Sequence, residues 1–364
     1  MTADLNQSSD FGACEPRKEV AFRMPFSSQI RETGNPEFAV ALVAVASNES
    51  AYVAEWVAHH LYFGFSPIEI YVNRSDDATE NISRQIASLI PDLRIENVDH
   101  LDRGKHPAKC IQYSSYGQAL HRLSRSLNRS DYIMFLDIDE FWTPRDLRST
   151  VQVVLESAGM PSLAAFNWFI ALSDIEPFSA TITPLLEGIH HTNVKSAFNA
   201  KLRLRARTPH SVTPIWPRPT WSSSGAGFAS GARDATRTTP KSFGDGFVIH
   251  RYYRSQMEYL ALLGRGRPKD KSLVFKNNRN GFHAGRKNDP RRDEFRPPAD
   301  AYLAYCQDLK AQLAEFDIQE FTPSAQESVR LRAARVLSNF QAMSPDEQAN
   351  WSYLFTYIDL KSLS

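Results

Sequence analysis

Phe38-Ala39-Val40-Ala41-Leu42-Val43-Ala44-Val45-Ala46 is an unbroken apolar run of nine residues, and the fold is read outward from it. A run that short, followed by Ser47-Asn48-Glu49-Ser50, predicts a strand buried on both faces. The cap-like cluster predicts a helix, with Val53, Trp56, Val57, His60 and Leu61 on one face and Gly64 at its end. Ile68–Val72, Arg94–Val98 and Tyr132–Leu136 are further strands. A helix ending near Ile90 and another over Tyr113–Leu127 separate them. Strands alternating with helices predict an α/β fold, a mostly parallel sheet flanked by helices. Ligands bind such sheets at the carboxyl ends of the strands. That places Ser47–Glu49, Asn73–Asp77 and Asp137–Glu140 along one edge.

The remainder is less regular. Residues 1–36 have no periodicity and read as a flexible extension. Leu163–Phe169 and Gly246–Tyr253 are strand candidates, and the Pro-, Gly-, Ser- and Thr-rich stretch 209–246, with Trp216 and Trp221, reads as a functional loop or mobile lid. Beyond Pro297 the chain is helical in character, with a second helix near Ala325–Met343. The expected organisation is therefore an extension (1–36), a main domain (37–296) and a helical C-terminal region (297–364).

Charge is balanced, with 42 Lys and Arg against 41 Asp and Glu over 364 residues. This gives no global electrostatic case for nucleic acid or an anionic membrane, so any anion site must be local. Three cysteines make no disulfide framework or zinc cluster. The N-terminus lacks a signal-peptide pattern and no apolar run is long enough to span a bilayer; a soluble, cytoplasmic protein is expected. Of the Asn-x-Ser sequons, those at Asn48 and Asn73 fall at the expected pocket, where a glycan would not fit.

The chemistry centres on Leu136-Asp137-Ile138-Asp139-Glu140-Phe141-Trp142. In an extended chain Asp137 and Asp139 would point the same way, and converging carboxylates repel unless a cation lies between them. Oxygen ligands favour Mg²⁺ or Mn²⁺, which also bind a substrate diphosphate. A haloacid-dehalogenase-type hydrolase also uses Asp-x-Asp after a strand, but Phe141 stands where it wants Thr or Val. His250 follows another strand. Arg251, Arg254, Arg265, Arg267, Lys269 and Lys271 come after it, and Lys195, Lys201, Arg203, Arg205 and Arg207 come before. The first group suggests a local anion site, since Arg recognises phosphate in a bidentate manner. The second suits an anion site or a solvated basic face equally.

In these motifs the chain resembles bacterial glycosyltransferases of the family-2 type, in the branch related to family 92. The resemblance rests on Asn48-Glu49, Glu55-Trp56, His59-His60, Gly64-Phe65, the Val72–Thr79 loop, Asp137–Phe141, and then His250, Arg254-Ser255 and Arg265-Gly266, in order over about residues 38–270. It implies a GT-A fold, a nucleotide-sugar donor (a UDP-sugar first), a divalent metal, and a glycan or lipid-linked glycan acceptor. Such an enzyme would act in bacterial polysaccharide or glycolipid synthesis, at the inner face of the membrane if the acceptor is lipid-linked. It further implies a metal site of Asp137, Asp139 and His250, with Asp137 near the metal's waters or the ribose. Asn48, Glu49, Asn73 and Asp77 would lie at the nucleoside end, and Arg254 and Arg265 on the diphosphate. Asp174, with Glu176 second, is the expected base of an inverting transfer. The chain departs from the pattern at Val72, Arg251, Arg254 and Leu262, so donor contacts follow less directly than the fold. The competing readings are a nucleotidyltransferase, which would want a Gly-rich basic loop where Ser47–Ser50 stands, and an inactive carbohydrate-binding scaffold on the same fold.

Overall fold

The computed structural model describes residues 37–103, 107–172, 176–228, 234–265, 274–282 and 289–359. The expected 1–36 extension, Asp174, Gly266, Arg267, Lys269 and Lys271 lie outside the described residues.

The apolar run forms β1 (Val40–Ala46). Val40, Leu42, Ala44 and Ala46 enter one hydrophobic cluster, while Ala41 and Val43 enter the other. Successive side chains leave a strand on opposite faces, so burial on both sides explains why the run has no polar alternation. Parallel to β1 lie β2 (Ile68–Val72) and β4 (Tyr132–Phe135), with β3 (Leu93–Asn97) outside β2. The connecting helices α1 (Val53–Tyr62) and α2 (Thr79–Leu89) pack on one face, and α3 (Pro107–Ser126) on the other. At the end of α1, Gly64 has φ +86°, and a Cβ there would approach Gln152 Oε1 to 2.6 Å. Both the left-handed turn and the close approach require glycine.

The sheet continues through β5 (Glu140–Pro144), β6 (Leu163–Ala171), β7 (Leu186–Asn199) and β11 (Gly246–His250) in the order β3-β2-β1-β4-β7-β6-β11-β5. Here β7 runs antiparallel to β4 and β6, and β5 antiparallel to β11. β8 (Leu204–Arg207) and β9 (Val212–Pro214) form a separate two-stranded sheet; β10 (Thr220–Ser222) pairs with β6 and β12 (Arg292–Phe295) with β7. The result is an α/β fold with a largely parallel, curled sheet flanked by helices, consistent with a GT-A-like Rossmann arrangement. Sequence patterning gives no sign of β7, whose Leu-Glu-Gly-Ile-His-His-Thr-Asn-Val-Lys stretch lacks strand alternation. Its polar side chains find partners inside the structure, so the apolar period is absent. Part of the 209–246 stretch also belongs to the sheet: Trp221 packs on Phe166 with ring centroids 6.0 Å apart, whereas Trp216 is 65% exposed.

After the short α4 (Val151–Ser157) and α5 (Gln256–Leu263), the chain ends in α6 (Ala299–Glu315), α7 (Thr322–Gln341) and α8 (Pro345–Trp351). Tyr305 of α6 and Val329 and Val336 of α7 join the cluster formed by α1 and the sheet. Among the described residues no helix is long and apolar enough to cross a membrane.

Candidate functional site

At the carboxyl edge of the parallel strands, the loops after β1 and β2 are sewn together. Asp76 N–H donates to Asn48 Oδ1 (2.9 Å), Asn48 N–H to Ser75 Oγ (3.0 Å), and Glu49 N–H to Thr79 Oγ1 (2.8 Å). Ser50 Oγ donates to Asp77 Oδ2 (2.8 Å), and Asn73 Nδ2 to Asp99 Oδ1 (3.3 Å). Asn48 and Arg74 both have positive φ, 56° and 48°, a region Asn tolerates because its short side chain bonds locally. Asn48 and Asp77 thus hold the seam between two loops.

The segment after β4 is a turn and not the extended chain expected from sequence. Glu140 N–H donates to Asp137 O (3.0 Å), and Asp137 N–H returns a bond to Glu140 Oε2 (2.8 Å). The Trp56 indole N–H reaches both Asp137 O (3.0 Å) and Glu140 O (2.9 Å). The reason is connectivity: β4 ends at Phe135 and β5 starts at Glu140, so the chain must reverse within four residues. Two histidines of α1 fasten the strand that follows. His59 Nε2 contacts Trp142 O (2.8 Å) and its Nδ1 contacts Tyr305 Oη (2.9 Å), while His60 Nε2 accepts from Trp142 N–H (3.2 Å). Burial keeps both rings neutral, lowering His59 to about 3 and His60 well below its ordinary value.

The turn gives its two aspartates different partners. Asp137 accepts from Gln112 Nε2 (2.9 Å) and Lys195 Nζ (3.2 Å). Lys195 is fully buried and also contacts Glu140 Oε2 (2.8 Å) and Pro209 O (3.0 Å). Burial opposes the charge on Lys195, but Asp137 and Glu140 outweigh it and raise its pKa. Burial pushes Glu140 up to about 8, with Lys195 restraining the rise.

Asp139 instead faces cations. Its Oδ2 lies 3.5 Å from His250 Nε2, and its carbonyl accepts from Arg251 N–H (2.8 Å). Burial alone would raise its pKa; His250, Arg254 and Arg279 hold it well below the carboxylate range. Arg254 has φ 53° and its guanidinium lies 3.3 Å from the Tyr52 ring centroid; Arg279 lies over Tyr252 at 3.9 Å. Arg265 holds the Glu49 carboxylate in a two-nitrogen clasp and donates to Asn48 O (2.8 Å). Arg332 lies 3.9 Å from Asp77. Burial, together with Arg279 and Arg265, lowers Lys276 to about 7. Arg265 Nε, Arg279 Nε and Arg332 Nη1 are buried without a hydrogen-bond partner. The space among Glu49, Tyr52, Asp139, Arg254 and Arg265 is ≈ 20 Å³, room for about one water. A larger cleft of ≈ 710 Å³, lined by Arg145, Phe243, Asp245 and Arg296, opens at the opposite end of β11, away from these groups.

Of the expected residues, Glu49, Asp139, Arg254 and Arg265 line this small cavity, His250 lies against Asp139 beside it, and Asp137 is turned to Lys195. Asp174 lies outside the described residues, and Glu176 is exposed. Tyr52, Lys276, Arg279 and Arg332 were not singled out from sequence. They come from three separate segments, and no local motif marks them.

Among the described residues, the expected metal pair to weigh is Asp139 and His250. Asp139 Oδ2 and His250 Nε2 are close enough to give lone pairs to one ion, and a mixed oxygen–nitrogen pair suits Mn²⁺ better than Mg²⁺. Among the described residues no group of three or more His, Cys, Asp or Glu side chains is placed to hold a metal. Further ligands would therefore be waters or substrate oxygens.

Residues 37–169 match the model of glycosyltransferase family 92. Over that stretch the chain is glycosyltransferase-like, from β1 through most of β6, including the turn at Asp137–Glu140. His250, Arg254 and Arg265 lie beyond it. No curated protein matches. Among solved structures, a mannosyltransferase from Pyrobaculum calidifontis in complex with GDP-Man and Mn²⁺ is 16% identical, with 88% of this chain and 81% of that one covered and a TM-score of 0.32. A 4-diphosphocytidyl-2C-methyl-D-erythritol synthase is 14% identical, covering 57% and 96%, with a TM-score of 0.29. The galactosyltransferase LgtC is 16% identical, covering 44% and 58%, with a TM-score of 0.25. Scores that low carry no weight for this site.

Proposed function

We propose that this chain is a metal-dependent glycosyltransferase that moves a sugar from a nucleotide-sugar donor to a glycan or lipid-linked acceptor. The observation that carries the reading is the group of arginines around Asp139, with three buried guanidinium N–H groups unpaired. Buried donors without partners are costly, and a diphosphate supplies the acceptors and the opposite charge. In this reading Asp139 and His250 hold Mn²⁺ or Mg²⁺, which would supply Lewis-acid stabilisation of the leaving diphosphate. Arg254, Arg265 and Arg279 share that charge as the anomeric C–O bond breaks. The Glu49 carboxylate sits in the fork of Arg265 where a phosphate would bind, so donor entry releases that clasp and widens the cavity. Asn73 and the Asn48–Asp77 seam then border the nucleoside. Asp174 is the proposed base, deprotonating the acceptor hydroxyl; Glu176 is second. A UDP-sugar is the proposed donor, and bacterial surface-glycan synthesis in the cytoplasm the setting.

Calorimetry with UDP and with GDP, each with and without Mn²⁺, tests this. Metal-dependent binding of one nucleotide, weakened about 10-fold or more by Arg279→Leu, is expected. Absence of binding by both nucleotides under all conditions would overturn the reading.

A further inference from the structure

On the other side of His250 lies a second group of unsatisfied polar atoms. Trp168 of β6 is half-buried, and three imidazoles surround its indole. The ring centroid of His250 is 4.4 Å away, that of His210 5.1 Å and that of His191 5.9 Å. Trp168 Nε1, His210 Nδ1 and His250 Nδ1 are all buried without a hydrogen-bond partner. His250 itself is only 6% exposed. Three orphans around one ring are more than a native fold leaves by accident, and nothing in the folding of β6, β7 or β11 uses them.

Their chemistry is alike. The indole N–H can only donate. With Nε2 turned to Asp139 and the metal, His250 carries its proton on Nδ1 and donates there too. A group meeting both must accept twice, as a hydroxyl oxygen does through its two lone pairs. An aromatic body beside such groups suits a sugar ring, which has apolar C–H faces and a hydroxyl rim. The charges nearby discriminate further. Burial first, and then Lys195, lowers His210 to about 4, so it is neutral near pH 7. Lys195 is already engaged by Asp137 and Glu140. The arginines with unpaired N–H groups around Asp139 lie on its Arg254–Arg279 side; among the described residues the cation acting on His191 is Arg291, which is paired with Asp289, so an uncharged ring suits the Trp168 side.

We propose that Trp168, His210 and His250 form a binding site for an uncharged pyranose ring, held through its hydroxyl groups. The proposal deepens the transferase reading and rests on it for the ring's place next to the diphosphate. A ring there could belong to the donor or to the acceptor; the chemistry is the same, and the experiment separates them.

The variants are Trp168→Phe, which keeps the aromatic body and loses the N–H, and His210→Ala as a second route should the first disturb packing. Calorimetry with Mn²⁺ compares UDP and GDP with UDP-glucose, UDP-galactose and GDP-mannose. Saturation-transfer NMR measures methyl glycosides of the same sugars, with and without nucleotide. For a donor ring, each variant removes about 3- to 10-fold of the nucleotide-sugar's advantage and leaves the bare nucleotide within about twofold. For an acceptor ring, the nucleotide-sugar is unaffected and the methyl-glycoside signal is lost. Both results support the site. Equal weakening of nucleotide and nucleotide-sugar, or no change in either assay, would overturn it. If no nucleotide binds, the transferase reading fails; a methyl-glycoside signal lost in the variants would still support the sugar site.

Discussion

Asp137 and Asp139 stand two residues apart on one turn, and they occupy opposite electrostatic worlds. Asp137 is committed to the protein, with Gln112 on one oxygen and Lys195 on the other. Asp139 faces His250 and a field of arginines with unspent N–H groups. The first arrangement holds a turn together. The second holds excess positive charge that the protein's own carboxylates do not satisfy. A paired-carboxylate motif is therefore two separate devices here, and the difference arises from Lys195 of β7 and the Arg254–Arg279 segments, all distant in sequence.

The largest expected effect tests the structural half. Lys195→Met leaves Glu140 buried without its cation, and unfolding in urea should show a loss of about 3–5 kcal/mol. The loss should deepen as pH rises. Without Lys195 the folded state holds the Glu140 proton more tightly than the unfolded chain does, so it binds more protons and loses stability with rising pH. A loss under about 1 kcal/mol would mean that Asp137 and Glu140 do not depend on Lys195. Next comes the functional half. Asp139→Asn should weaken Mn²⁺ binding, read by electron paramagnetic resonance, by at least about 10-fold, and Asp137→Asn by less than about threefold. Equal losses would place both aspartates on the metal and dissolve the contrast.

The smallest effect concerns pH. Lys276, lowered to about 7 by burial, Arg279 and Arg265, should take up a proton when a diphosphate enters, because a nearby anion favours its charged form. Nucleotide affinity should then fall by about 3- to 10-fold from about pH 7 to about pH 9, and Lys276→Met should flatten the slope. An unchanged slope in that variant would remove Lys276 from the anion site.

Much of the fold was legible. The apolar run at Phe38–Ala46 and the strand–helix alternation after it predict the parallel half closely, since burial on both faces leaves a continuous apolar signature. β5 and β7 were not legible. Their polar residues, Glu140 and Lys195 among them, are buried by partnering one another, which erases the hydrophobic period. The candidate site was half legible. Glu49, Asp139, His250, Arg254 and Arg265 could be named because they fall at strand ends or in short motifs. Tyr52, Trp168, Lys276, Arg279 and Arg332 could not, because nothing near them in sequence says what they face.

The sequence by itself determined the parallel sheet, the edge where its loops gather and the residue types available there. Only the tertiary structure decided which carboxylate each cation meets. Strand order and turn closure set those pairings, and charges interact through space, over distances unrelated to their separation along the chain.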